Sequence, residues 1–293
     1  MAQQSFDFTD MAKMRRSRTV VIALVAIAVL LGGGLLVSRV ILPRLGGTQA
    51  SQPAEQPAVE QAPVAENPIV ADEPAPDPST FSGQLALGQV ESIRVIGDSI
   101  TAGYLIDGFD DPSDTDIVVY DDGEGVFYET PTYVNCWTNA FRSYAAGQGV
   151  SYFVNAGVSG FRMQYLAEDP DAWLSDGADV IVVMLGSNDA AKESIGDFAA
   201  YAEQALSEAD ARSNHLVVVS PPNNDRNDAE NLYGLDLIDQ TLTDICAAHG
   251  WEHISLYDVL ELYSDDFFPD ECHPTEQGSA KLWDAFHARL GLA

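Results

Sequence analysis

From Glu91 onward the chain alternates two hydrophobic patterns. Short apolar runs at Ile93–Ile96, Tyr152–Asn155, Val180–Leu185, Leu216–Val219 and His253–Leu256 are nearly unbroken, as expected of parallel strands covered on both faces. Between and after them, Val134–Gly147, Phe198–Ala211, Leu235–His249 and Thr275–Leu290 carry apolar residues at helical spacing; in the last, Leu282, Ala285, Phe286 and Leu290 share one side. Strand then helix, repeated, predicts βαβ units around a parallel sheet, hence an α/β domain over residues 91–293.

Upstream the pattern changes twice. Thr19–Ser38 has no charge and no polar side, and at about 1.5 Å per residue it reaches roughly 30 Å as a helix, the thickness of a bilayer core. Lys13, Arg15, Arg16 and Arg18 precede it while Arg39 and Arg44 follow. The positive-inside bias therefore predicts a cytoplasmic tail over 1–18, a single-pass signal-anchor helix over 19–42 and an extracytoplasmic remainder. The rival reading is a cleaved signal peptide and a secreted product, with Thr48-Gln49-Ala50 as a poor processing site. Residues 43–90 set Pro53, Pro57, Pro63, Pro68, Pro74, Pro76 and Pro78 among Ala, Gln, Glu and Asp, a composition that builds no core and predicts a disordered, extended linker.

One stretch breaks the domain's rhythm. Residues 104–133 carry nine acidic residues, from Asp107 to Glu129, and no Lys or Arg. Within them Ile117–Tyr120 and Val126–Glu129 flank Asp121-Asp122-Gly123-Glu124-Gly125 and read as a β-hairpin. Leaving the first strand, it is expected over the strand ends, either as a substrate flap using Tyr120, Phe127 and Tyr128 or as a solvated acidic insertion. Its acidic spacing does not match a calcium loop.

Asp and Glu number 45 against 14 Lys and Arg, for a formal charge of −31. Phosphate binding relies on clustered positive charge, so nucleic acid is excluded as a partner and a strongly anionic substrate is disfavoured.

Four short segments carry chemistry: Gly97-Asp98-Ser99-Ile100, Asn155-Ala156-Gly157-Val158-Ser159-Gly160, Gly186-Ser187-Asn188-Asp189 and Asp270-Glu271-Cys272-His273. The first three each follow a predicted strand, where α/β sheets bind ligands. Serine is a poor nucleophile without a base, and the base needs a partner on its other nitrogen; Ser99, His273 and Asp270 fit those three roles. Attack on an acyl carbon creates an oxyanion, for which the N–H groups of Ser99 and Gly160 and the side-chain amide of Asn188 are candidate donors. Gly157-Val158-Ser159-Gly160 is like a nucleophile elbow, but Phe161 stands where the final glycine is required. Cys272 as nucleophile is the weaker alternative, since adjacent side chains diverge. Cys136, Cys246 and Cys272 allow one disulfide; Cys136 with Cys272 is the preferred pair, with three unpaired thiols as the alternative.

These four segments, in order over about residues 91–293, resemble the SGNH, or GDSL, hydrolase family. The resemblance implies Ser99, Gly160, Asn188 and His273 as the name-giving residues, with Asp270 completing the triad. It also implies a flavodoxin-like three-layer α/β/α sandwich with strand order 2-1-3-4-5, and no metal or organic cofactor. The family's Asn-Ala-x-x-x-Gly pattern selects Gly160 over Gly157. Phe161-Arg162 departs from the Asp-Thr often found there, and both join the hairpin aromatics as candidate substrate contacts. The expected function is a membrane-anchored serine esterase acting on an O-acetyl glycan or a lipid ester, with an O-acyltransferase or a non-catalytic surface-binding domain as alternatives.

Overall fold

Every strand predicted in the domain forms. The computed structural model describes residues 75–109, 133–227 and 230–292, with the backbone of 118–121 and 126–129. Its strands are β1 (Ser92–Gly97), β2 (Val118–Asp121), β3 (Val126–Glu129), β4 (Tyr152–Gly157), β5 (Ala178–Met184), β6 (Ser213–Ser220) and β7 (Glu252–Ser255). Five of them make one parallel sheet in the order β4-β1-β5-β6-β7, which is the expected 2-1-3-4-5 arrangement.

The near-continuous apolar runs follow from burial on both faces. Along β5, Val180, Val182 and Met184 enter one core, while Ile181, Val183 and Leu185 at its end enter the other. The first core is closed by α1 (Phe81–Ala86), α3 (Trp137–Gly147) and α8 (Glu276–Arg289). The second is closed by α4 (Met163–Glu168), α5 (Pro170–Leu174), α6 (Ile195–Ala211) and α7 (Leu235–His249). Helices α3 and α8 are tied by aromatic contacts, Trp137 and Phe141 lying 5.3 and 5.1 Å from the Phe286 ring. The backbone N–H of Trp137 also donates to Ser279 Oγ at 2.7 Å. A short helix, α2 (Ser99–Ala102), leaves the end of β1 at the point where the strand order reverses. That reversal opens the crevice in which such sheets place ligands.

Two expectations need revision, and two fall wholly or partly outside the described residues. Helix α1 lies in the stretch read as linker, yet Phe81 and Leu85 are buried and Thr80 caps it by accepting from the Gly83 N–H. Burying Phe81 alone is worth about 1.5–3 kcal/mol, so the folded unit begins before Glu91. The Cys136–Cys272 disulfide is not formed: all three cysteines are free and buried. Cys136 is the residue before α3, and its sulfur turns to the inner amide of Asn155 at 3.9 Å, into the sheet end and not across the surface. The hairpin pairs as expected, Tyr120 opposite Phe127 and Val119 opposite Tyr128, but the side chains of Tyr120, Phe127 and Tyr128 lie outside the described residues. The expected membrane helix over 19–42 and the tail before it also lie outside them; among the described residues no helix is long and apolar enough to cross a membrane.

Candidate active site

Parallel pairing sets Gly97 of β1 level with Gly157 of β4 and Met184 of β5, so the segments that follow converge at one sheet edge. A Cβ on Gly157 would meet the Ala102 backbone nitrogen at 2.4 Å, so this glycine lets α2 press against β4. Asn155 completes the junction: its amide nitrogen donates to the Thr101 carbonyl at 3.2 Å and its oxygen accepts from the Gly157 N–H at 3.2 Å. Asp98 caps α2 by accepting from the Ile100 N–H at 2.9 Å, which fixes Ser99 as the first helical residue. At that position the Ser99 N–H has no acceptor within the helix and remains available.

The base arrives from the loop between β7 and α8. Ser99 Oγ lies 2.8 Å from His273 Nε2, and His273 Nδ1 lies 2.6 Å from Asp270 Oδ2. The other Asp270 oxygen accepts from the backbone N–H groups of Cys272 and His273, each at 3.0 Å. Burial alone would push the Asp270 carboxyl up; the hydrogen bonds from the His273 ring and these two backbone groups outweigh it and hold it below its ordinary value. Asp270 is therefore ionised, Nδ1 carries the proton, and Nε2 is left to accept from Ser99. The Tyr104 ring packs on the imidazole at 4.7 Å. Beyond Pro274 the loop is anchored: Thr275 caps α8 through the Gly278 N–H, and Lys281 pairs with the buried Asp266 at 2.6 Å.

Opposite the base, Gly160 has φ +77°, a backbone conformation that favours glycine, with open space around it. Among the described residues its N–H meets no acceptor. The Asn188 amide nitrogen donates to the Phe161 carbonyl at 3.1 Å and lies 3.4 Å from Asp98 Oδ2, while its oxygen accepts from Arg226 Nη1 at 3.1 Å. Asp98 is almost fully buried, and that burial pushes its carboxyl up to about 6 against the Ile100 N–H and the charges of His273 and Arg226.

The remaining sequence candidates point elsewhere. Phe161 is buried against Trp173, with ring centroids 4.4 Å apart. Arg162 pairs with Glu193 and donates to the Tyr165 hydroxyl at 2.7 Å. Both were expected to touch substrate; Phe161 instead enters the second core, and Arg162 stays part-exposed, held by Glu193 and Tyr165. Sequence reasoning gave no role to Arg226 or Tyr104. A lone arginine in the loop after β6 carries no local signal, because its partner Asn188 is distant in the chain. Among the described residues no three His, Cys, Asp or Glu side chains are grouped to hold a metal ion.

This arrangement supports acyl transfer to serine. Ser99 Oγ attacks a carbonyl carbon as His273 takes its proton, and the resulting oxyanion is met by donors from Ser99, Gly160 and Asn188. The imidazolium then protonates the departing alcohol. Water, activated by the same histidine, releases the acid from the acyl-serine.

The fold recurs in solved structures. An acetylxylan esterase from Geobacillus stearothermophilus superposes with a TM-score of 0.52 at 16% identity, covering 69% of this chain and 95% of that one. An α/β hydrolase enzyme from the metagenome of Lake Arreo, Spain, gives a TM-score of 0.52 at 16% identity with the same coverage. No curated protein matches the chain in sequence. A model of the GDSL-like lipase/acylhydrolase family matches residues 95–281, well over half of the chain and inclusive of Ser99, Gly160, Asn188, Asp270 and His273. On that match the chain belongs to the GDSL-like lipase/acylhydrolase family, and its serine chemistry is that of a carboxylic-ester hydrolase.

Proposed function

We propose that this esterase is anchored in the cell membrane by the apolar segment 19–42, faces outward, and removes O-acetyl groups from glycans at or near the cell surface. The observation that carries the chemistry is the unbroken chain from Asp270 through His273 to Ser99 at 2.6 and 2.8 Å. Support for a glycan comes from a depression of about 420 Å³ beside the Asp270 loop, lined by Asp225, Arg226, Asn227, Glu230 and Asn231. Those side chains donate and accept hydrogen bonds, which suits a hydroxyl-rich alcohol better than a lipid tail. The acetylxylan esterase with the same fold points the same way. Anchoring is supported by the charge-free run and the arginines and lysine before it.

The test compares the full-length chain with Ser99→Ala on acetylated xylo-oligosaccharides and on p-nitrophenyl acetate, butyrate and octanoate. Acetate release by the wild type alone, falling with acyl length, is expected. Preference for octanoate would replace the glycan with a lipid ester. For the topology, a phosphatase reporter fused after Ala293 should be active in intact cells; an inactive reporter would overturn the outward orientation.

A further inference from the structure

An asparagine can serve an oxyanion only with its nitrogen inward. Its amide oxygen and nitrogen are nearly the same size, so a flip of the Asn188 side chain would cost little in shape and would aim a carbonyl at the developing negative charge. Its surroundings decide the orientation. On the inner side stand two acceptors, the Phe161 carbonyl at 3.1 Å and the Asp98 carboxylate at 3.4 Å. On the outer side stands Arg226 Nη1, which can only donate, 3.1 Å from Asn188 Oδ1.

Arg226 is itself held in place. The Asp225 N–H donates to the Glu271 carbonyl at 2.9 Å and the Asn227 N–H to the Asp270 carbonyl at 3.2 Å. The Asn227 amide nitrogen reaches the Pro269 carbonyl at 3.0 Å. Residues on both sides of Arg226 are thus stitched to the loop that carries Asp270 and His273, and the guanidinium spans from there to the oxyanion side. We infer that Arg226 is a positioning residue for ester hydrolysis: it locks the Asn188 amide with its nitrogen toward the oxyanion and polarises it into a stronger donor. A positive charge on Oδ1 draws electron density through the amide and leaves the N–H more positive where the negative charge forms.

The experiment uses the full-length chain and two readouts. One is steady-state hydrolysis of p-nitrophenyl acetate. The other is the rate of inactivation by a fluorophosphonate: Ser99 Oγ bonds to phosphorus, fluoride leaves, His273 takes the serine proton, and the phosphoryl oxygen enters the oxyanion position. A hydrogen bond to a charged group typically contributes about 1.5–3 kcal/mol, so Arg226→Met should lower kcat and the inactivation rate about 10–100-fold while KM moves less than about twofold. Arg226→Lys, which still donates to Oδ1, should recover most of the loss. In an Asn188→Ala background, Arg226→Met should cost less than about twofold, because the residue it acts through is gone.

Unchanged rates in Arg226→Met would overturn the inference. So would an equal loss in the Asn188→Ala background, which would mean that Arg226 acts on the substrate directly. A rise in KM at constant kcat would overturn it likewise. The inference rests on Ser99 being the nucleophile, and failure there is separately visible: the fluorophosphonate would then label neither wild type nor Arg226→Met at Ser99.

Discussion

Asp189, directly after Asn188, gives the sharpest quantitative test of the site's construction. It is fully buried, and Oδ1 accepts from the Met163 N–H at 2.9 Å, which holds the start of α4 against the Asn188 turn. Burial first, then the neighbouring Glu193 carboxylate, push the Asp189 carboxyl up to about 8; the Met163 N–H and the Arg162 guanidinium pull it back only in part. In the unfolded chain the same group titrates near 3.8. Between those values the folded protein keeps a proton that the unfolded chain has released, so stability falls as pH rises, and the loss is complete only above about pH 8. One proton corresponds to about 1.4 kcal/mol per pH unit, or about 3 kcal/mol between pH 5 and pH 7, a large share of the 5–15 kcal/mol typical of a domain. Asp189→Asn keeps the acceptor for Met163, cannot ionise, and puts an amide nitrogen in place of the buried Oδ2, next to the Glu193 carboxylate. Urea unfolding of both proteins from pH 5 to pH 8 should therefore show the variant gaining on the wild type by about 3 kcal/mol over the first two units. The acidic surface titrates alike in both and cancels in the difference. Parallel curves would refute the argument, because they would mean that Asp189 is ionised throughout.

Other perturbations separate catalytic from structural contributions. Asp270→Asn should leave the loop folded but reverse the proton preference at Nδ1, lowering kcat on p-nitrophenyl acetate about 10⁴-fold; a loss under tenfold would mean another group orients His273. Gly160→Ala meets no neighbour but must hold φ +77°, so urea unfolding should show a loss of about 1–2 kcal/mol and no change of fold by circular dichroism. Ser220→Ala removes the partner 2.8 Å from His253 Nε2 and should cost about 1 kcal/mol of stability while kcat/KM stays within about twofold.

What could be read from the sequence was what is encoded locally. The five buried strands announce themselves as apolar runs, and Asp270 and His273, three residues apart, close their hydrogen bond within one loop. Helix α1 was missed because Pro76 and Pro78 lend the segment a linker's composition, although Thr80, capping through Gly83, is a local start signal. The inward facing of Phe161, which follows Gly160 at φ +77°, was not legible because periodicity gives no facing to a loop. The cysteine pairing failed for a related reason. Proximity to the same sheet edge does not fix the direction of a Cβ, and Cys136 points to Asn155. Arg226 and Asp189 gain their roles from partners on other elements, so only the folded chain reveals them.

The domain contains a second serine–histidine pair, and the contrast shows what makes the first one reactive. Ser220 Oγ and His253 Nε2 stand 2.8 Å apart, the same distance as Ser99 and His273, and Asp239 lies near enough to act on the His253 ring. Burial nonetheless depresses the His253 pKa, the Asp239 charge offsetting it only in part, so the ring stays neutral. Ser220 is wholly inaccessible at the last position of β6, opposite Ser255 of β7, and its carbonyl is occupied by the Leu256 N–H at 3.0 Å. Pro221 and Pro222, which follow it, carry no backbone N–H to offer an oxyanion. At Ser99 the chain breaks into α2 at once, Gly160 bends away in the left-handed region, and Asn188 is held by Arg226. The hydrogen bond between serine and imidazole is thus common to both pairs. Reactivity at Ser99 comes from the Ser99 and Gly160 N–H groups, which meet no acceptor among the described residues, set with the Asn188 amide at one sheet edge where a substrate's charge can form between them.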